Sequence, residues 1–153
     1  MSEEHIITDS YQRRVSYLRF SVTDRCNLHC VYCRSDGPEE FIPHEDVLRY
    51  EEIIRLVRIA RSMHVNKVRL TGGEPFARRD FDKLLLGLRE NFPDLNLRIT
   101  SNGTLMGPHI PVLKQARINA VNLSIDSFRP ETFARVSGHD LLGKVTETLD
   151  ALL

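Results

Sequence analysis

Cys26, Cys30 and Cys33 are the three cysteines of the chain, and they stand together as C-N-L-H-C-V-Y-C directly after a β-rich run. Free cysteine is often no more than a small buried hydrophobe. Here the spacing puts all three thiols in one short segment, with a polar or aromatic residue at most steps between them, which suits a loop wrapped around a metal. A structural zinc site is closed by four ligands, whereas a 4Fe-4S cube tied down by three cysteines leaves one iron free for another molecule. A zinc site completed by His29 or His44 is the competing reading, although neither histidine makes the usual paired-knuckle spacing with the cysteines.

The 153 residues are 41% hydrophobic, enough for one core, and the composition carries no signature of disorder. Lys plus Arg and Asp plus Glu both total 21. This balance gives no bulk attraction to nucleic acid or to an anionic membrane, so any anion site has to be local. The first residues, MSEEHIITDSYQRR, lack the apolar core of a signal peptide, and no stretch approaches the ~20 apolar residues of a spanning helix. A cytoplasmic chain with reduced thiols is the expectation.

Strand and helix patterns alternate. Val15 to Val22 is β-branched and aromatic, and ends at the polar Thr23-Asp24-Arg25 that leads to the cysteines. Glu51 to Met63 has helical spacing with acids in its first turn, and Lys67 to Thr71 is a second strand. Asp80 to Phe92 offers an N-cap aspartate and the apolar set Phe81, Leu84, Leu85 and Leu88. Leu95 to Thr100 predicts a strand, Pro111 to Arg117 a helix, Ala120 to Ile125 a strand and Pro130 to Val136 a helix with proline at an early position. Leu141 to Leu153 closes with another amphipathic segment. Four such repeats predict an α/β fold of parallel strands joined by right-handed crossovers, as a layer or as part of a barrel. Residues 1–14 read as an N-terminal arm and 15–153 as the core, with the longest loop, 34–44, placed to cover a site.

In parallel α/β folds ligands sit at the carboxyl ends of the strands. After the first strand come Asp24, Arg25 and the cysteine loop. After the second comes Thr71-Gly72-Gly73-Glu74-Pro75, whose glycines permit positive φ and close backbone approach, and whose carboxylate can accept from an ammonium. Thr100 to Gly103 and Ser124 to Ser127 follow the third and fourth strands. Each cluster alone reads as an ordinary turn or cap; four at successive strand ends line one mouth.

The segments YLRFSVTDRCNLHCVYC, KVRLTGGEPFARRD and AVNLSIDSFRPETFARVSG, in this order, resemble the radical S-adenosylmethionine enzymes, and within them the GTP 3′,8-cyclases of molybdenum cofactor biosynthesis. The resemblance runs from about Tyr17 to Gly138. It implies a partial (βα)6 TIM-like barrel with four βα units present, and a 4Fe-4S cluster held by Cys26, Cys30 and Cys33. It also implies S-adenosylmethionine against the backbone of Tyr32, Gly73 and Ser124, with Glu74 by its amino group. Arg19, Arg69 and Thr100 match positions that contact GTP. The implied reaction is the radical conversion of GTP to 3′,8-cyclo-7,8-dihydroguanosine 5′-triphosphate, supported by a reducing electron donor. Two arginines on neighbouring strands suit a polyphosphate or purine ligand.

Departures from the family pattern are Arg34-Ser35, where Met-Pro is usual, and Ser101 in place of threonine. Family members are also about twice as long, with further cysteines for a second cluster beyond the region matched here. The N-terminal half of a cyclase is the expectation, its open edge and half-barrel interior favouring self-association, a homodimer among the forms allowed. Two alternatives stay open. One is another radical S-adenosylmethionine enzyme, such as a peptide-modifying one; the other is a zinc-binding module without catalysis.

Overall fold

Polar and apolar residues alternate along Lys67–Thr71, and the fold sorts them onto two faces of a sheet. Val68 and Leu70 are fully buried, while Lys67, Arg69 and Thr71 are only partly covered. The same division holds for the other strands in this computed structural model, which describes residues 6–33 and 41–153. They are β1 (Tyr17–Ser21), β2 (Lys67–Thr71), β3 (Asn96–Ser101) and β4 (Ala120–Leu123), all parallel and in the order β1-β2-β3-β4.

Helices α1 (Tyr50–Ser62), α2 (Phe81–Asn91), α3 (Ile110–Gln115), α4 (Pro130–Ser137) and α5 (Leu142–Leu152) follow the strands. Ile53 and Val57 of α1, Leu84, Leu85 and Leu88 of α2 and Leu113 of α3 close over Val68, Leu70, Leu97 and Ile99. Each such side chain contributes about 1.5–3 kcal/mol by leaving water. A smaller cluster of Phe133, Leu142 and Val145 joins α4 to α5. The described part is thus an open α/β sheet of four βα units, consistent with a partial barrel and not closed.

Several expectations shift. The first strand is shorter than Val15 to Val22, although the Val22 N–H still continues the ladder to the Thr71 carbonyl at 2.8 Å; the fourth ends at Leu123 rather than Ile125. Asp80 does not cap α2 through its side chain: its backbone is left-handed, with φ 60°, and its carboxylate instead pairs with Lys83 at 3.2 Å. The third strand runs Asn96–Ser101 rather than Leu95 to Thr100, and one face of the sheet is open, with Tyr17, Arg19 and Ser21 of β1 exposed. Of the long loop, residues 34–40, with Arg34 and Ser35, lie outside the described residues.

Arg89 closes the end of α2. Its guanidinium is buried and donates to the carbonyls of Ala116 and Pro93, both at 2.7 Å, and of Arg117 at 2.8 Å. Arg89→Met would keep the bulk and strand these acceptors, so urea denaturation should show a loss of about 3 kcal/mol.

Candidate functional site

All four strands end on one edge of the sheet, and the segments that follow them interlock there. Thr23 to Arg25, the approach to the cysteines, lies against Gly72 to Glu74. The Gly73 N–H donates to the Thr23 carbonyl at 2.7 Å and the Glu74 N–H to the Arg25 carbonyl at 2.8 Å. This contact explains both glycines. A Cβ on Gly72 would stand 2.3 Å from the Thr23 oxygen, and one on Gly73 2.3 Å from the Arg25 oxygen. Gly72 also has a φ of 152°. The close approach that the glycine pair allows is therefore first of all to the chain's own cysteine loop.

Glu74 is fully buried. Its Oε1 accepts from the Phe76 N–H at 3.1 Å and the Ser101 hydroxyl at 2.9 Å, and its Oε2 from the Asn102 N–H at 2.8 Å. Burial raises its pKa, against the pull of these three bonds. Asn102 then carries the connection onward: its Nδ2 donates to Asn27 Oδ1 at 3.1 Å and stands 3.7 Å from Cys26 Sγ. The Leu28 N–H reaches the same sulfur at 3.4 Å. Asn27 in turn donates to the Thr104 hydroxyl at 2.8 Å.

The far side of the loop is tied to the end of α4. The His29 and Val31 N–H groups donate to the carbonyls of Ser137 and Val136, each at 2.9 Å. His29 Nδ1 lies 3.0 Å from His139 Nε2. Gly138, with φ 77°, ends α4 where a Cβ would press on His29 Cβ at 3.1 Å. The Tyr32 hydroxyl donates to Asp126 at 2.9 Å, joining the loop to the segment after β4. Most of the Tyr32 residue is exposed, yet burial of its hydroxyl, then the bonds to Asp126 and Cys30, push the phenol above its ordinary range.

No disulfide joins the three thiols; Cys26 and Cys30 are half-buried and Cys33 is exposed. Burial pushes the Cys30 thiol up, the Tyr32 hydrogen bond opposes it, and the charges of Asp126, Cys26 and Cys33 add to the rise. Soft thiol donors from one loop, with N–H groups on the Cys26 sulfur to stabilise thiolate charge, fit an iron–sulfur cluster. Among the described residues no three of His, Cys, Asp and Glu converge as a single bound ion would need.

The expected site residues divide into two groups. Tyr32, Gly73, Glu74 and Ser124 come to the strand ends beside the cysteines; Ser124 is exposed, its N–H bonded to the Ser101 carbonyl at 2.9 Å. Arg19, Arg69 and Thr100 lie on the open face of the sheet, where Arg19 pairs in register with Arg69 and Arg69 Nη1 donates to Thr100 Oγ1 at 3.1 Å. Sequence reasoning did not assign roles to Asn27, Asn102 and Asp126. The polar residues of T-S-N-G and S-I-D-S were the available signal for the last two; nothing marked His139 as the neighbour of His29.

Residues 20–153 match the family model for the radical SAM superfamily. The chain belongs to that superfamily. Among its radical SAM relatives, the GTP 3′,8-cyclase of Nautilia profundicola is 42% identical over 148 residues, covering 97% of this chain and 46% of its own length. The GTP 3′,8-cyclase of Sulfurovum sp. is 37% identical over 148 residues, with 97% and 45% covered. The chain thus spans about half the length of the curated relatives it matches. The crystal structure of Streptococcus suis SuiB bound to S-adenosylmethionine shares the radical SAM fold, with a TM-score of 0.70 at 20% identity over 87% of this chain and 30% of that one.

Two substitutions test the interlock. Gly73→Ala should cost about 2 kcal/mol or more in urea denaturation, because its Cβ meets backbone rather than a movable side chain. Gly143→Ala, where a Cβ meets nothing within 4 Å, should be neutral or stabilising by up to about 1 kcal/mol. The raised pKa of Glu74 gives its contribution a pH sign: present in full below the unfolded carboxylate value and declining as pH rises through the folded one. The Tm advantage of wild type over Glu74→Gln should therefore shrink as pH rises above the unfolded carboxylate value of about 4.3.

Proposed function

We propose that this chain is the cofactor-binding portion of a radical S-adenosylmethionine GTP 3′,8-cyclase acting in molybdenum cofactor biosynthesis, with residues 15–153 as the partial core. The observation that carries the reading is the placement of Arg19 and Arg69 side by side on the open sheet face, at the strands whose ends hold the cysteine loop. A nucleoside triphosphate needs such fixed cations; a peptide substrate does not. The names of the relatives support the same choice.

In this reading Cys26, Cys30 and Cys33 hold a 4Fe-4S cluster. When bound and reduced, it would supply the electron that breaks the S–C5′ bond of S-adenosylmethionine, leaving methionine and a 5′-deoxyadenosyl radical. The protein's own residues bind, orient and exclude water. Tyr32, Gly73 and Ser124 present backbone groups to S-adenosylmethionine. Glu74 fixes the turn that carries Gly73 and in this reading lies by the amino group of S-adenosylmethionine, its carboxylate held by three donors. Arg19, Arg69 and Thr100 take GTP. No side chain is required as acid or base in the hydrogen abstraction, since C3′ of GTP gives up a hydrogen atom rather than a proton. A reducing protein or small-molecule donor completes the system, and three cysteines without a disulfide suit the cytoplasm.

Anaerobic reconstitution with iron and sulfide should give a brown protein that releases 5′-deoxyadenosine from S-adenosylmethionine under reductant. Cys26→Ala, Cys30→Ala and Cys33→Ala should each abolish both properties. Full iron and sulfide content in Cys30→Ala would overturn the assignment. One zinc per chain without colour would favour the non-catalytic alternative.

A further inference from the structure

The open face of the sheet carries a third arginine. Arg98 of β3 is the register partner of Arg69 on β2, which is itself the partner of Arg19 on β1. Three guanidinium-bearing residues therefore cross the sheet in one row, with adjacent strands about 4.8 Å apart. Their side chains share the face opposite the core, because Leu97 and Ile99 flank Arg98 and are fully buried beneath. Like charges opposite one another on neighbouring strands destabilise a sheet. No carboxylate within the strands offsets them: positions 17, 19 and 21, 67, 69 and 71, 96, 98 and 100, and 120 and 122 include no Asp or Glu, and beside Arg69 stands the Tyr17 ring, its centre 5.9 Å from the guanidinium carbon.

The hydrogen bonds within the row leave most of its donors available. Arg98 Nε donates to Asn96 Oδ1 at 2.9 Å and Arg69 Nη1 to Thr100 Oγ1 at 3.1 Å. Arg69 Nε is buried with no hydrogen-bond partner, the single such side-chain atom among the described residues. A buried donor left unmade costs about 1–3 kcal/mol, so the row is arranged for an acceptor that the described residues do not provide. The acceptor has to be strongly anionic and must reach across three strands, and a triphosphate meets both conditions.

We infer that Arg98 completes an anion cradle with Arg19 and Arg69 and is a positioning residue for the triphosphate of the substrate nucleotide. The inference rests on the nucleotide reading of this face and adds to it a residue that the family resemblance does not supply. Arg98 sits farther along the sheet than Arg19, so it holds the polyphosphate toward β3 and β4 and fixes the direction in which the nucleoside is presented to the strand ends.

Calorimetric titration of the chain with inorganic triphosphate, GTP, ATP and guanosine, for wild type, Arg98→Ala and Arg98→Lys, tests it. Arg98→Ala should weaken inorganic triphosphate and GTP alike by about tenfold, the effect of one charge-assisted hydrogen bond. Guanosine should be unchanged, and Arg98→Lys should recover part of the loss. Circular dichroism checks folding, and Arg98→Gln, which keeps a donor for Asn96 without the charge, replaces Arg98→Ala if that variant unfolds. GTP bound equally by wild type and the neutral variant overturns the cradle and leaves the GTP reading standing. Triphosphate held through Arg98, with no preference for GTP over ATP, supports a cradle that grips the phosphates and not the base. Failure of wild type to bind inorganic triphosphate overturns the cradle outright.

Discussion

The carboxylate of Glu74 is the joint on which the site depends. It sits at the end of β2, out of contact with water, and takes three hydrogen bonds that span from its own turn to the end of β3. Burying a carboxylate is tolerable only when donors converge on it. Those donors are the backbone of Phe76 and Asn102 and the hydroxyl of Ser101, so the cost of burial is offset by fixing two adjacent strand ends against each other. Asn102, held in this way, aims its amide at the Cys26 sulfur. The cysteine loop is thus positioned by a chain of contacts that begins in the sheet.

That loop has no regular secondary structure, yet it is fastened on several sides. Backbone bonds tie its start to Gly73 and Glu74, side-chain bonds tie Asn27 to Asn102 and Thr104, and further backbone bonds tie His29 and Val31 to the end of α4. The glycines at 72, 73 and 138 remove the Cβ atoms that would keep these segments apart. In the proposed role this arrangement is an advantage, since thiols held on a rigid scaffold would spend less ordering entropy on binding a cluster.

The sheet divides its labour by face. Period-two alternation sends Val68, Leu70, Leu97 and Ile99 into the helices, and the same alternation leaves arginine, lysine, threonine and asparagine on the opposite side. Stability comes from the covered face, so the open one can hold residues chosen for ligand chemistry at the expense of mutual repulsion. The relatives extend well beyond the matched region, and the polar face described here is the one that the interior of a barrel would present.

Local pattern sufficed wherever a residue's environment follows from its neighbours in the chain. Helical spacing, strand alternation and the cysteine triplet are such patterns, and they placed the four strands and five α-helices to within a few residues, though not the short 3-10 turns such as Pro75–Ala77; Pro130 does open α4, as its fixed φ favours. Asp80 was misjudged because its role turns on one backbone angle, and a left-handed φ is not written in an Asp that could equally cap. The glycine pair was legible as a close approach, but not what approaches, since the Arg25 carbonyl comes from a segment dozens of residues earlier. The Arg98 row was invisible for the same reason: positions 19, 69 and 98 become neighbours only through strand register, which hydrogen bonding across the sheet fixes. The sequence by itself determined the elements, the thiol donors and the polar strand ends. Only the tertiary structure decided that Glu74 is a buried joint and that three arginines share one row, because both depend on contacts between strands that lie far apart in the chain.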